Sequence, residues 1–168
     1  MKFKEARAKY IQAWGILGSQ WGINKTMAQI HALLLISPDA LSAEEIMSEL
    51  AISRGNANMN IRSLMDWGIV SKEHKLGERK EYFSAEKDLW TLTKQVTNER
   101  RRREITPIVK VLELVGDIDD TNQTKEVKEF KEMTKKLKKF AKNADSSLAK
   151  MVQAEEHWFW GSFMKLFK

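Results

Sequence analysis

Residues 42–84 read SAEEIMSELAISRGNANMNIRSLMDWGIVSKEHKLGERKEYFS, and the order of signals in this stretch decides the fold. Ser42 and Glu45 have the S-x-x-E spacing of a capping box, in which two side chains satisfy the free backbone N–H groups at a helix start. Ser53 is a favourable N-cap for a second helix after a tight turn. The first half of the stretch therefore predicts two short helices in succession.

The second half of the stretch predicts a small β-hairpin. Trp67-Gly68 ends the second helix, because glycine is common immediately after a helix. Residues 69–75 and 80–84 have the composition of strands, and residues 76–79 link them through a turn that contains glycine. Two helices, a tight turn and a hairpin form the outline of a winged helix-turn-helix, whose second helix enters the major groove of DNA.

Helices are predicted before this stretch. Residues 2–20 carry an apolar stripe at helical spacing, formed by Phe3, Ala6, Tyr10, Ala13, Trp14 and Leu17. Asn24 can cap a second helix. Pro38 stops that helix, since the residue before a proline disfavours the helical conformation.

Helices are predicted after the hairpin as well. Ser84 is expected to cap a long helix, which Pro107 breaks or kinks because proline lacks an N–H group. A helix over residues 125–142 has an apolar seam opposite its lysines, formed by Val127, Phe130, Met133, Leu137, Phe140 and Ala141. Asp145 or Ser146 is expected to cap a last helix.

These signals predict a mainly α fold, in which a winged helix-turn-helix with a small β-hairpin wing is joined to long N- and C-terminal dimerisation helices. The expected divisions are an N-terminal dimerisation helix over residues 1–23, a DNA-binding domain over 24–84, and a helical dimerisation and effector arm over 85–168. A chain of 168 residues is long enough for a small domain and an oligomerisation arm.

Charge and composition narrow the classes of function. The net charge is +6, but residues 42–84 carry −1, from six Lys and Arg against seven Asp and Glu. DNA binding there must depend on a few placed cations rather than on a basic field. The absence of cysteine excludes disulfides, thiolate zinc sites and cysteine nucleophiles. Because neither a signal peptide nor a membrane-length apolar run is visible, we expect a soluble cytoplasmic protein with no membrane partner.

Catalytic and metal-binding motifs are missing from the sequence. It contains no P-loop, GxGxxG, HExxH or GxSxG motif, and His31, His74 and His157 are scattered without partners at metal-ligand spacing. We therefore expect the protein not to be an enzyme and to bind no metal or cofactor.

The second helix of the stretch has two faces on a helical wheel. Ala57, Ile61, Leu64 and Met65 share the side expected to face the core. The opposite side is formed by Gly55, Asn56, Met59, Arg62 and Ser63, with Asn58 at its edge. Early positions of a recognition helix reach the bases, and arginine can pair with guanine and asparagine with adenine, which favours Arg54, Asn56 and Asn58. The alternative is an exposed polar helix that contacts nothing.

The hairpin tip offers two cations, Arg79 and Lys80, after a flexible glycine turn. They can contact phosphates or enter a minor groove. The alternative is a charged edge strand that resists aggregation.

Two other basic segments lie outside the stretch. Arg100 to Arg103 are consecutive, and helical residues at steps of 100° cannot all face one partner. These residues and the lysine-rich helix at 125–142 are either solvated surfaces with local glutamate pairs or additional contacts to DNA.

Six tryptophans suggest a ligand site. Trp14, Trp21, Trp90 and Trp158, with Phe159 and Trp160, can line a pocket or an aromatic cage for a cationic effector. The alternative is packing in the core and at a dimer interface.

Three blocks carry a resemblance to a known family: ISRGNANMN at residues 52–60, LMDWGIV at 64–70 and GERKEYF at 77–83. Together they resemble the GbsR-type branch of the MarR-like winged helix-turn-helix transcriptional regulators, over residues 41–104. The resemblance implies a homodimeric repressor whose terminal helices form the dimer arm. It also implies DNA-binding roles in the groove for Ser53, Arg54, Asn56, Asn58, Met59 and Arg62, and in the wing for Arg79 and Lys80.

The function predicted from these observations is that of a sequence-specific DNA-binding transcriptional regulator. We expect a ligand-responsive homodimeric repressor that binds a pseudo-palindromic operator in double-stranded DNA and answers to a small-molecule effector of unknown identity. The alternatives are a non-catalytic protein-interaction or scaffold module built on a winged helix, and a helical protein that binds a small molecule without affinity for DNA.

Overall fold

The structure, a computed structural model, describes residues 1–116 and 124–154, and helices predominate among them. The helices are α1 (Phe3–Gln20), α2 (Lys25–Ile36), α3 (Ala43–Leu50), α4 (Arg54–Asp66), α5 (Leu89–Arg100), α6 (Thr106–Gly116) and α7 (Lys125–Gln153), with a π-helical turn at Arg101–Ile105. The strands are β1 (Leu41–Ser42), β2 (Val70–His74) and β3 (Glu81–Ala85), which form one sheet in the order β1-β3-β2. The predicted mainly α winged helix-turn-helix is confirmed.

Two serine caps define the helix-turn-helix. The backbone N–H of Ser42 donates to Oε2 of Glu45 over 2.7 Å, and the N–H of Glu45 donates to Oγ of Ser42 over 3.3 Å. These two contacts complete the predicted capping box. The backbone N–H and the hydroxyl of Ser42 both donate to the Glu45 carboxylate, which holds the pKa of Glu45 below its usual range. Ser53 caps α4, since its Oγ accepts from the N–H of Asn56 over 3.3 Å. The predicted start of each helix is therefore confirmed.

The sheet contains one strand more than the hairpin predicts. Strands β2 and β3 pair in antiparallel register, with Val70 opposite Ala85. The additional strand β1 pairs with the other edge of β3, with Leu41 opposite Phe83. It was not predicted, because two residues beside a helix cap carry no alternating pattern.

The core around the helix-turn-helix comes from α2, α3 and α4. Its largest fully buried side chains are Ile30, Leu33, Leu34, Ile46, Ile61 and Leu64. Asn24 caps α2 as predicted, because its Oδ1 accepts from the N–H groups of Thr26 and Met27 over 2.9 Å and 3.2 Å. These contacts belong to the first of two compact units, residues 1–92; the second begins at Thr93.

Helix α1 packs on α2 through a different face from the predicted stripe. Ile11, Gly15 and Gly18 are its buried residues, whereas Phe3 and Ala13 are exposed. The glycines allow close contact: a Cβ on Gly18 would lie 2.5 Å from Cβ of Ala28. Because glycine contributes no apolar side chain, a pattern of large residues cannot reveal this interface.

Gly18→Ala is expected to lower the free energy of unfolding by about 1–2 kcal/mol, since the added methyl group overpacks the α1–α2 contact. Gly55→Ala is the matched control: it is also helical, and its added Cβ would meet nothing within 4 Å. Urea denaturation should show the control to be neutral, or more stable by about 0.5 kcal/mol. Equal stability of the two variants would contradict the close packing.

The helix after the hairpin begins later than predicted. Ser84 does not cap it but lies in β3, where its hydroxyl donates to the carboxylate of Glu73. Asp88 provides the cap, because its Oδ1 accepts from the N–H of Thr91 over 2.7 Å. Pairing of β3 with β2 holds Ser84 in the strand, so the helix begins after Asp88, four residues later than predicted.

Pro107 does not break the helix that contains it. It is the second residue of α6, and the five-residue π-helical turn at Arg101–Ile105 precedes it. The N–H of Thr106 donates to the carbonyl of Arg101, the wider spacing typical of such a turn. Local rearrangement thus accommodates a residue that has no N–H to donate.

Helix α7 is continuous, so the predicted cap at Asp145 or Ser146 is wrong. Thr124 caps α7, which ends only at Gln153. Asp145 lies on its side and binds Arg101. The predicted last helix beyond residue 154 lies outside the described residues.

The apolar seam of α7 is largely uncovered in the described part of the chain. Phe130, Met133, Leu137 and Phe140 are exposed, whereas Thr134 is buried. Lys142 on α7 pairs with Glu113 on α6 over 2.5 Å. Among residues 1–116 and 124–154, no helix is both long enough and apolar enough to cross a membrane.

Candidate nucleic-acid interface

Helix α4 buries one face and exposes the other, as the wheel predicts. Ala57, Asn60, Ile61 and Leu64 are buried. The exposed side carries the candidate DNA-binding residues Ser53, Arg54, Asn58, Met59 and Arg62, with Asn56 half-buried among them. We call this side, with those six residues, the reading face.

The reading face combines cations, amides and one apolar side chain. Met59 lies near its middle and is 57% exposed. Arginine and asparagine side chains can donate to base edges, and an apolar side chain can contact the methyl group of thymine. The face therefore has the chemistry needed to distinguish base pairs in a major groove.

Two side chains of α4 form hydrogen bonds within the helix. Oγ of Ser63 donates to the carbonyl of Met59 over 3.1 Å. Asn60 donates through Nδ2 to the carbonyl of Asn56 over 2.8 Å and to its Oδ1 over 2.7 Å. Sequence reasoning missed Asn60. The signal that could have found it is an asparagine among apolar residues, four positions after another asparagine.

A carboxylate lies near Arg54. Its Nη2 lies 3.8 Å from Oε1 of Glu44, and both side chains are mostly exposed. An exposed ion pair at this distance contributes little, about 0–1 kcal/mol, and is screened by salt. Arg54 can therefore exchange Glu44 for a phosphate or a guanine at small cost.

The wing is braced at its turn. Gly77 has φ +82°, a left-handed conformation that favours glycine. Nζ of Lys75 lies 4.0 Å from the centre of the Tyr82 ring, a cation–π contact. The hydroxyl of Tyr82 donates to the carboxylate of Glu78, which raises the pKa of Tyr82 to about 12.

Arg79 and Lys80 are exposed at the tip of this braced wing. Within residues 1–116 and 124–154, neither cation has a carboxylate within 4.0 Å. Lys72, further down β2, differs because its Nζ pairs with Glu81 over 2.9 Å. The tip thus offers the two predicted wing residues to an anionic partner.

The four consecutive arginines bind carboxylates. Arg102 donates to Glu99 over 2.9 Å and 2.7 Å, and Arg103 also contacts Glu99. The other two pairs are Arg100 with Glu104 at 3.2 Å, and Arg101 with Asp145 at 3.0 Å and 3.1 Å. This arrangement favours local ion pairing over a phosphate clamp.

The tryptophans of the predicted effector pocket occupy different environments. Trp14 lies on α1 with its ring centre 5.6 Å from that of Tyr10. Trp21 is 58% exposed just after α1, and Trp90 is buried in the first turn of α5. Trp158 lies outside the described residues. The pocket stays a prediction.

No metal site is found among the described residues. His31 is buried in α2, and burial lowers its pKa to about 4, as expected for a core histidine. Among residues 1–116 and 124–154, His, Asp and Glu side chains form no group of three that could hold a metal ion.

Comparison with known proteins supports the fold. No family model matches the sequence, and no curated protein matches it either. A transcriptional regulator of known crystal structure overlays with a TM-score of 0.58 at 18% identity, covering 86% of this chain and 99% of that chain. Because the identity is low, this likeness shows the winged-helix fold alone.

Two other solved structures overlay less well. A MarR protein from Peptoclostridium difficile has a TM-score of 0.39 at 20% identity, covering 88% of this chain and 86% of that one. A mutant of S. aureus MepR bound to an oligodeoxyribonucleotide has a TM-score of 0.37 at 16% identity, covering 84% and 94%. Because both TM-scores are below 0.5, these two likenesses carry no argument about the function of this chain.

Proposed function

We propose that this protein is a sequence-specific DNA-binding transcriptional regulator of the MarR-like class. The observation that carries the proposal is the reading face on α4, whose opposite side is buried in a winged helix-turn-helix. In this fold the second helix enters the major groove. The fold neighbour with a TM-score of 0.58 is itself a transcriptional regulator, which agrees with the proposal.

The electrostatics of binding rest on a few cations. Residues 42–84 have a net charge of −1, so this stretch itself presents no broad positive field to DNA. Arg54 and Arg62 lie on the reading face, and Arg79 and Lys80 lie at the wing tip, all exposed. In this proposal the face reads bases while the wing contacts phosphates or a minor groove.

The regulator acts as a homodimer in this proposal. Exposed apolar residues on α7, and Ile108, Val111 and Leu114 on α6, give a surface suited to a second copy. Residues 1–23 and 85–168 would pair two heads formed by residues 24–84. Two recognition helices about 34–36 Å apart would then match a pseudo-palindromic operator.

We also propose that the regulator is a repressor and that a small-molecule effector controls it. The blocks at residues 52–60, 64–70 and 77–83 support placement in the GbsR-type branch. An effector bound near Trp14, Trp21, Trp90 and Trp158 would favour a different spacing of the heads and lower operator affinity. A chain without cysteine suits the reducing cytoplasm and cannot use a thiol switch.

Removing one cation from the interface should reduce the salt dependence of DNA binding. Arg62→Gln and Arg79→Gln are each expected to shrink the slope of log affinity against log salt by about one unit per DNA-bound head. Lys9→Gln, on α1, removes the same charge outside the interface and should leave the slope unchanged. Fluorescence anisotropy over a salt series gives all three slopes.

An unchanged slope for Arg62→Gln would show that the reading face does not contact DNA. An unchanged slope for Arg79→Gln would show that the wing does not contact DNA. If the parent protein shows no shift of DNA at low salt, the alternative of a protein-interaction or scaffold module gains support. Ligand-dependent tryptophan fluorescence without DNA binding would instead favour a small-molecule-binding protein.

A further inference from the structure

Asn60 is a polar residue on the buried side of α4. It is 2% exposed and neighbours Ile61, which is equally buried. An asparagine at such a position is costly unless its amide is hydrogen-bonded. Its Nδ2 donates to both the backbone carbonyl and Oδ1 of Asn56, so the amide is used to hold one specific neighbour.

Asn56 is held at two points as a result. Its backbone N–H donates to the Ser53 cap over 3.3 Å, and its Oδ1 accepts from Asn60 over 2.7 Å. Nδ2 of Asn56, the other polar atom of that side chain, then has no hydrogen-bond partner among the described residues. A side chain fixed before binding loses less conformational entropy when it contacts a ligand.

We propose that Asn60 is a positioning residue that sets the base preference of Asn56 without contacting DNA. The inference rests on the proposed function. With Oδ1 held by Asn60, Asn56 presents its NH2 group, a donor, to the groove. Donors match O6 and N7 of guanine and O4 of thymine, whereas paired recognition of adenine would require Oδ1 to accept a second hydrogen bond beside that of Asn60. The expected preference of Asn56 is therefore for guanine or thymine.

The hydrogen bond itself is tested without DNA. In the full-length protein, the side-chain NH2 protons of Asn60 should exchange slowly with solvent, as measured by NMR. Asn56→Ala should accelerate that exchange at least several-fold, whereas Asn58→Ala, on the exposed side of the same helix, should not. Rapid exchange in the parent protein, or no effect of Asn56→Ala, would overturn the inference even if variants at position 60 failed to fold.

The effect on specificity is tested by selecting bound sequences from a random DNA pool. Asn60→Leu should reduce the preference at one base pair of each half-site about tenfold, while the salt slope stays unchanged. Ile61→Leu controls for disturbance of the core. If Asn60 acts through Asn56, the double variant Asn56→Ala/Asn60→Leu should show the same preference as Asn56→Ala alone.

The outcomes separate failure of the inference from failure of the proposed function. A parent protein that selects no sequence overturns the proposed function. A parent protein that selects a sequence, with Asn60→Leu selecting it equally well, overturns only the positioning role. A preference for adenine at the affected position would overturn the donor assignment of Asn56.

Discussion

Replacing Leu137 and Phe140 by aspartate should convert the protein into a monomer and weaken operator binding by at least 100-fold. Both side chains are exposed on α7, Phe140 by 74%. With Phe130 and Met133 they follow the alternating three- and four-residue spacing of a coiled-coil seam. If these side chains are buried in a homodimer interface, that interface would not tolerate a charge at either position.

The loss of affinity follows from losing the second head. Two linked heads bind two half-sites with an effective concentration that can raise affinity by about 10²–10⁴ over one head. Ser146→Asp/Gln153→Asp is the matched control, because it adds the same two negative charges at exposed positions of α7 outside the apolar seam. Sedimentation velocity measures the mass and anisotropy the affinity. A seam variant that remains a dimer with unchanged affinity would contradict this role for α7.

Glu99→Gln should lower the free energy of unfolding at neutral pH by about 2–3 kcal/mol. The Glu99 side chain is 7% exposed and accepts hydrogen bonds from Arg102 and Arg103. These contacts, that of Arg102 foremost, hold the pKa of Glu99 below its usual range. Glutamine has the same shape but no charge, so both guanidinium groups lose the carboxylate of Glu99.

The effect should depend on pH in a defined direction. Because the pKa of Glu99 is lower in the folded protein, its stabilisation is fully present above the unfolded pKa and is lost as the pH falls through the folded pKa. The stability difference between parent and Glu99→Gln should therefore shrink on acidification. Glu132→Gln, which removes an exposed pair with Lys136, is the control and should have no measurable effect. A difference independent of pH would contradict the ion-pair explanation.

Local signals predicted the helix-turn-helix and its hairpin well. Ser42, Asn24 and Ser53 cap their helices as expected, because a cap depends on neighbours within three residues. The turn at Gly77 lies where the sequence places it. Such interactions are complete within a short segment, so a single sequence contains them.

Features that depend on distant contacts were not predictable in this way. The packing face of α1 is set by the fit of Gly18 against Ala28, and the start of α5 by pairing of β3 with β2. Within the site, Asn60 was missed because its burial depends on how α4 packs in the core, although its hydrogen-bond partner Asn56 lies only four residues away. Helical periodicity placed Asn56, Asn58, Met59 and Arg62 on the reading face, whereas Arg54 was predicted from its position at the helix start and Ser53 from the family resemblance. The binding roles of all six stay predictions.

The most direct test of DNA recognition is a quantitative gel shift with the promoter region of the protein's own gene. An unrelated fragment of equal length and base composition is the control. We predict a discrete complex with the promoter fragment, at least about 10³-fold tighter than binding to the control, and weakened by added salt. Equal affinity for both fragments, or no complex with either at low salt, would contradict the proposal that α4 reads a DNA sequence.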